Sequence, residues 1–163
     1  MVYYLDGYNL LFSLIDSKQN LASQRQKLIL FLQRQFTSRC LSGILVFDGA
    51  HRRDEESGLS YKSPLEIAYA PKGQSADAYI VEKIEAARNP REITVVTNDR
   101  GLAMHARSHG AKVQANGSFI QFLKKKKKKG KKGPVSETQQ NIERLMKIFE
   151  ERLKKEAEDE TSF

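Results

Sequence analysis

The chain begins with Met1-Val-Tyr-Tyr-Leu-Asp6-Gly-Tyr-Asn9, an apolar run that ends in a carboxylate, a glycine and a carboxamide. Its β-branched and aromatic residues predict a short buried strand over residues 1–5. In parallel α/β sheets the ligand site lies outside the carboxyl ends of the strands. If this first strand is central, we expect Asp6 and Asn9 at the floor of that crevice.

Two later stretches follow the same pattern: Ile44-Leu-Val-Phe-Asp48 and Ile93-Thr-Val-Val-Thr-Asn-Asp99. Neither apolar run alternates, which predicts strands buried on both faces, as a parallel sheet requires. Leu65–Tyr69 does alternate and predicts an edge strand. A last short strand is predicted over residues 112–115.

Helical patterns separate these strands. Ser75 is a suitable N-cap for one of them, and Gly43 is a stop signal after another. The predicted helices cover residues 6–12, 23–36, 76–88, 100–108 and 118–123. Alternating strands and helices predict a three-layer α/β domain around a mostly parallel central sheet of four or five strands.

The basic charge of the chain is concentrated in one short stretch. The eight lysines of this stretch equal the whole formal net charge of +8, and they are Lys124, Lys125, Lys126, Lys127, Lys128, Lys129, Lys131 and Lys132. We therefore expect a nearly neutral domain over residues 1–123 and a lysine-rich linker over residues 124–133. The linker would attract the phosphates of RNA without regard to sequence, and this binding would weaken steeply with salt.

A C-terminal amphipathic helix is predicted over residues 134–163, which makes it a helical appendage to the α/β domain. Its apolar stripe consists of Ile142, Leu145, Met146, Phe149 and Leu153. Such a stripe needs a partner, which can be the body of the protein, a second copy or another macromolecule.

Several protein classes do not fit the sequence. A lone cysteine, Cys40, forms no intrachain disulfide and no thiolate zinc site by itself. The chain has no apolar run of membrane-spanning length, no signal-peptide pattern, no phosphate-binding glycine motif and no nucleophile elbow. We expect a cytoplasmic protein with no membrane partner.

Three aspartates have positions that suggest chemistry: Asp6, Asp77 and Asp99. Each alone has an ordinary explanation, since aspartate forms turns and favours the first turn of a helix. Together at one edge of a sheet they would repel one another, and some would stay protonated unless a cation joined them. Oxygen ligands of this kind suit Mg²⁺ or Mn²⁺.

Four segments together resemble the YacP-like NYN branch of the PIN-like nucleases: Asp6-Gly-Tyr-Asn9-Leu, Val46-Phe-Asp48-Gly, Ser75-Ala-Asp77 and Val96-Thr-Asn-Asp99. The resemblance covers about residues 1–123 and implies a PIN-like fold with metal-dependent hydrolysis of RNA. It also implies that Asp6, Asp77 and Asp99 are the catalytic, metal-binding cluster. The resemblance and the sequence pattern also indicate residues that would support the cluster or contact the substrate. They are Asn9, Asp48, Thr97, Asn98 and Arg100.

Position 78 departs from the family pattern, because alanine stands where relatives often carry another acidic residue. The next carboxylate, Glu82, lies five residues beyond Asp77, or about 140° around a helix. We therefore interpret Glu82 as a solvated helix residue rather than a ligand. Asp48 ends a strand but also forms an ordinary Asp-Gly turn, and Arg100 is either a phosphate contact or an exposed residue at a helix start.

The favoured function is endonucleolytic cleavage of messenger or ribosomal RNA, with the ribosome as a candidate partner. Ala78 keeps open a non-catalytic RNA-binding or ribosome-associated module with the same fold. A DNA nuclease of the flap type is a further alternative. His105 and His109 are four residues apart, but no third ligand is evident, so a histidine-based nuclease is a weak competitor.

Overall fold

A computed structural model of the protein describes residues 1–15, 20–49, 64–125, 144–149 and 151. Five parallel strands form one sheet in the order β3-β2-β1-β4-β5. They are β1 (Val2–Asp6), β2 (Gly43–Phe47), β3 (Leu65–Tyr69), β4 (Ile93–Val96) and β5 (Lys112–Gln114). The parallel sheet, the central position of β1 and the edge position of β3 confirm the sequence prediction.

The helices cover both faces of this sheet. They are α1 (Gly7–Leu14), α2 (Leu21–Arg39), α3 (Ala76–Glu85), α4 (Arg100–Ser108) and α5 (Asn116–Lys124). A short 3-10 helix, Pro90–Glu92, precedes β4. The β1–β2, β3–β4 and β4–β5 connections therefore contain helices, as connections between parallel strands usually do.

Two apolar cores, one on each face of the sheet, produce the three layers. Leu5 points towards α1, α2 and α5, where it packs in one cluster with Phe36 and Phe119. Val46 and Val95 face the other side and pack with residues of α3 and α4. Because side chains alternate along a strand, the continuous apolar runs of β1, β2 and β4 supply both cores at once.

The C-terminal ends of α2 and α3 each differ from the prediction by three residues. α2 continues to Arg39 and ends at Cys40, which has a left-handed backbone with φ of 53°, and the Leu41 N–H donates to the Phe36 carbonyl at 3.0 Å. This closure is typical of helix C-termini. The other helix, α3, ends at Glu85 and not at residue 88, because a tight turn follows it.

The C-terminal apolar stripe packs against the body of the protein. Residues 144–149 are helical, Phe149 is 3% exposed within the α1–α2–α5 core, and Met146 packs against that core. The Nζ atom of Lys124 lies 5.8 Å from the centre of the Phe149 ring, which is a cation–π distance. Of the three partners considered from the sequence, the domain itself thus receives this part of the stripe.

Several predicted features lie outside the described residues. They are Ile142, Leu153 and the lysines from Lys126 to Lys132. In the part of the chain that the structure describes, no helix has both the length and the apolar character needed to cross a membrane.

Candidate active site

The site is built around the carboxyl end of β1. Asp6 is the last residue of this strand and is 6% exposed, between β2 on one side and β4 on the other. The next residue, Gly7, packs so closely that a Cβ atom there would lie 2.8 Å from the Val46 carbonyl oxygen. Only glycine permits this approach, which turns the chain directly from β1 into α1 and leaves Asp6 at the floor of the crevice.

The start of α3 brings a second carboxylate to Asp6. The Ser75 hydroxyl accepts a hydrogen bond from the Ala78 N–H at 3.1 Å, as predicted for an N-cap, and Asp48 Oδ1 accepts one from the Ala76 N–H at 2.6 Å. Asp48 therefore fixes the first turn of α3 to the end of β2. That turn places Asp77 within hydrogen-bond contact of Asp6.

The contact between the two carboxyl groups changes the acidity of Asp6. Burial is the largest cause, and together with the hydrogen bond to Asp77 and the negative charges of Asp77 and Asp48 it raises the pKa of Asp6 from 3.8 to about 8. The backbone N–H of Asn9 acts in the opposite direction but is outweighed. At neutral pH and without a cation, this raised pKa favours the protonated form of the Asp6 carboxyl, which can hydrogen-bond to Asp77.

Asp99 lies three residues beyond β4, at the N-cap of α4. Its Oδ1 atom accepts a hydrogen bond from the Leu102 N–H at 2.7 Å, and its own N–H donates to the Thr97 hydroxyl at 3.0 Å. Asp99 and Asp77 line one cavity of about 460 Å³ between α3 and α4. Asp77 thus contacts Asp6 and shares a cavity with Asp99.

Glu82 and His105 line the same cavity. Glu82 is exposed and accepts a hydrogen bond from Gln74 at 3.1 Å. It nevertheless lines the same cavity as Asp77, so the expectation that their 140° separation would keep Glu82 away from this space is wrong. His109 is also exposed and lies 3.3 Å from Glu85 of α3. Across the described ranges, no three histidine, cysteine, aspartate or glutamate side chains are close enough to form a complete metal site unaided.

A group of amide side chains lies beside the carboxylates and joins β1 to β4. Asn9 Oδ1 accepts hydrogen bonds from the Asn98 N–H at 2.9 Å, the Thr97 hydroxyl at 3.3 Å and the Asn116 side chain at 2.9 Å. The side-chain oxygen of Asn9 therefore faces β4 and α5, while its backbone N–H faces Asp6. We call Asn9, Asn98 and Asn116 the amide cluster.

Asn116 is the site residue that sequence reasoning missed. It is fully buried at the start of α5, which begins two residues earlier than predicted. Its side-chain nitrogen also approaches the Asn9 carbonyl and the Ser13 hydroxyl at 3.3 Å each, and its N–H donates to Asn98 Oδ1 at 2.9 Å. Its own Oδ1 is buried without a partner among the described residues. The available signal was its place just after a strand, like that of Asn98.

A second cavity, of about 580 Å³, lies on the other side of Asp99 between α4 and β5. Thr97, Asn98 and Arg100 line it, which puts all three predicted substrate-contact residues of this turn beside one open space. Asp99 is common to both cavities.

The sequence profile of the YacP-like NYN domain matches residues 3–162. The chain belongs to the YacP-like NYN family. The resemblance seen in the sequence is thereby confirmed, and the match continues past residue 123 through the C-terminal segment. This family is one of PIN-like nucleases.

Two solved structures have the same fold as this chain. The crystal structure of Rae1 (YacP) from Bacillus subtilis is 20% identical, with a TM-score of 0.62 over 98% of this chain and 83% of that one. The crystal structure of its W164L mutant is 19% identical, with a TM-score of 0.61 over 100% of this chain and 84% of that one. No curated protein sequence matches the chain. The similarity confirms the predicted PIN-like fold.

Proposed function

We propose that this protein is a metal-dependent endoribonuclease whose catalytic cluster is Asp6, Asp77 and Asp99. The contact between buried Asp6 and Asp77 is the observation that supports the proposal best. Burial and the contact with Asp77 raise the pKa of Asp6 to about 8, and this shift weakens the folded state at neutral pH. Strongly shifted groups of this kind are concentrated at functional sites.

The chemistry of these side chains fits a hard divalent ion such as Mg²⁺ or Mn²⁺. All three offer carboxylate oxygens, and a cation would remove the repulsion between Asp6 and Asp77. Asp6 and Asp77 would hold such an ion through their carboxylates, and Asp99, which lines the 460 Å³ cavity with Asp77, would supply the third carboxylate. Water and substrate phosphate would complete the coordination. When bound, such an ion activates water for attack at phosphorus and neutralises charge on the phosphodiester.

Side chains of the protein would have distinct roles in the reaction. With a cation bound, the pKa of Asp6 would fall from its metal-free value, so Asp6 would hold the ion as a carboxylate. Thr97 and Asn98 hold the turn that orients Asp99. Arg100, exposed at the start of α4, is suited to donate hydrogen bonds to a phosphate.

RNA as the substrate rests on family membership and on the lysine-rich linker, and the proposal includes messenger RNA, ribosomal RNA and the ribosome as targets. It also includes a cytoplasmic location. Residues 1–123 would form the nuclease domain, residues 124–133 the lysine-rich linker and residues 134–163 the C-terminal helix.

Cleavage of an end-labelled structured RNA tests the proposal. We would compare the wild type with Asp6→Asn, Asp99→Asn and the control Glu92→Gln, each in Mn²⁺, Mg²⁺ or EDTA. Glu92 is an exposed carboxylate in the 3-10 helix before β4, at the opposite end of that strand from the site. We expect metal-dependent cutting by the wild type and the control. Both aspartate variants should lose at least about a hundredfold in rate.

Cutting in EDTA, or undiminished cutting by either aspartate variant, would contradict the proposed site. If the wild type binds RNA in a salt-sensitive way but cuts neither free RNA nor ribosomes, the protein is the non-catalytic binding module. The alanine at position 78, exposed in the first turn of α3, is the feature that favours this second function. A flap DNA in the same assay tests the DNA nuclease alternative.

A further inference from the structure

The cavity of about 580 Å³ forms a groove between α4 and β5 that begins at the proposed catalytic cluster. Asn98 and Asp99 line it, and Asp99 also lines the cavity that contains Asp77. Anything that occupies the groove therefore lies next to the site where a phosphodiester would be cut. We call this space the α4 groove.

Two arginines give the α4 groove a positive charge. Arg100 and Arg107 both line it, and both are exposed. They are seven residues apart, so they lie on one face of α4 and about 10 Å apart along its axis. Within the described ranges, neither guanidinium has an ion-pair partner. Two unpaired guanidinium groups can each bind a phosphate through two hydrogen bonds.

Between the arginines the groove is apolar. Met104 lies on the same face of α4 and is 66% exposed, and the remaining apolar lining comes from Ala103, Val113 and Ala115. A methionine side chain makes adaptable contacts with flat aromatic groups. Charge at both ends and an apolar centre suit a chain that carries phosphates at intervals and flat bases between them.

We propose that the α4 groove binds the single-stranded RNA segment that flanks the scissile phosphate on one side. This inference rests on the proposed function and deepens it by giving the substrate a direction across the site. Arg100 and Arg107 would contact backbone phosphates, and Met104 would contact an unpaired base. A paired base is stacked within a duplex and does not offer its face to a side chain, so the groove favours a single strand.

RNA binding by the full-length protein in EDTA tests the groove separately from cleavage. We would compare Arg100→Ala/Arg107→Ala with the control Arg88→Ala/Arg91→Ala. The control removes the same charge from exposed residues near the amino end of β4, away from the site. With a fluorescent single-stranded RNA, we expect the groove variant to bind at least about tenfold more weakly and the control to change by less than about twofold. The salt slope of the groove variant should fall by roughly 1.4.

Equal weakening in the two double variants would overturn the inference, because net charge alone would then explain it. Unchanged binding in the groove variant would overturn it as well. If the alanine variant shows altered thermal unfolding, the comparison is repeated with Arg100→Gln/Arg107→Gln. Glutamine removes the charge but has a helix propensity close to that of arginine.

Cleavage of RNAs extended on the 5′ or the 3′ side provides the directional test. We expect the groove variant to lose the benefit of extension on one side only, mainly through a higher KM. Equal loss on both sides would contradict a directional groove. If the wild type does not cleave at all, the proposed function fails while the binding comparison still tests the groove. If the wild type cleaves and the groove variant binds normally, the function stands and the groove fails.

Discussion

Two polar clusters lie side by side at the carboxyl edge of the sheet, and they have opposite effects on it. Burial of Asp6, together with its contact to a second carboxyl group on Asp77, raises the pKa of Asp6. The amide cluster instead matches donors with an acceptor, since three groups donate to Asn9 Oδ1. Buried hydrogen bonds stabilise a fold, whereas buried groups of like charge destabilise it.

The amide cluster positions the site, whereas the carboxylates are proposed to carry out its chemistry. The amide cluster joins the turns after β1, β4 and β5, so it fixes where Asp6 and Asp99 lie relative to one another. The carboxylates then carry a destabilisation that the proposed metal ion would relieve. We expect substitutions in the two clusters to change stability in opposite directions.

The largest change in stability is expected for Asp6→Asn in the absence of metal. The folded pKa of Asp6, about 8, exceeds its ordinary value of 3.8, so the folded wild type binds the extra proton and loses stability as pH rises through this window. Asparagine does not titrate. Its advantage in unfolding free energy should therefore grow from about pH 4 to about pH 8, towards an upper limit of about 6 kcal/mol.

Urea denaturation in EDTA across this pH window measures the effect, with Glu92→Gln as the matched control. Glu92 is exposed and accepts a hydrogen bond from Asn89, so its substitution should leave the pH dependence unchanged. An advantage for Asp6→Asn that shrinks with rising pH would refute the raised pKa.

Asn116→Ala should have the second largest effect, in the opposite direction. The substitution removes a buried donor and leaves acceptors such as Asn9 Oδ1 with fewer partners, which should lower the unfolding free energy by about 2–3 kcal/mol. Asn89→Ala is the control, because Asn89 is exposed and should cost less than about 0.5 kcal/mol. Equal losses in thermal or urea unfolding would mean that the amide cluster does not stabilise this edge.

Asp99 is expected both to stabilise the fold and to take part in catalysis, since it caps α4 and is proposed to bind metal. Asp99→Ala should lose about 1 kcal/mol of stability, whereas Asp99→Asn should keep the cap because an amide oxygen also accepts from the Leu102 N–H. Both variants should lose RNA cleavage. If Asp99→Asn unfolds as early as Asp99→Ala, the charge and not the cap is what stabilises α4.

Glu82→Gln is expected to show the smallest effect and defines the limit of the acidic cluster. Glu82 is exposed and hydrogen-bonded to Gln74, so stability should change by less than about 0.5 kcal/mol and cleavage by less than about threefold. A loss of cleavage as large as that of Asp99→Asn would instead show that Glu82 takes part in the reaction. The cleavage assay with Mn²⁺ and a urea titration measure the two quantities.

Helix ends were harder to predict from sequence than strands, because they depend on neighbours. Glycine is typical of helix ends, yet Gly43 is the first residue of β2. A Cβ atom at this position would lie 2.8 Å from the Tyr3 carbonyl oxygen. Cys40 ends the helix instead, in a left-handed conformation that non-glycine residues adopt less readily. The glycine is needed for strand packing, which a local pattern does not contain.

The sequence by itself determined the parallel sheet and the three aspartates near its carboxyl edge. Unbroken apolar runs require burial on both faces, and the residue after such a run must lie at the edge of the sheet. Only the tertiary structure decided that Asp6 touches Asp77, that Asn116 joins the site and that two arginines of α4 face one groove. These contacts join residues far apart in the chain. The order of the strands and the packing of α3, α4 and α5 on them bring those residues together, and no local sequence pattern records that packing.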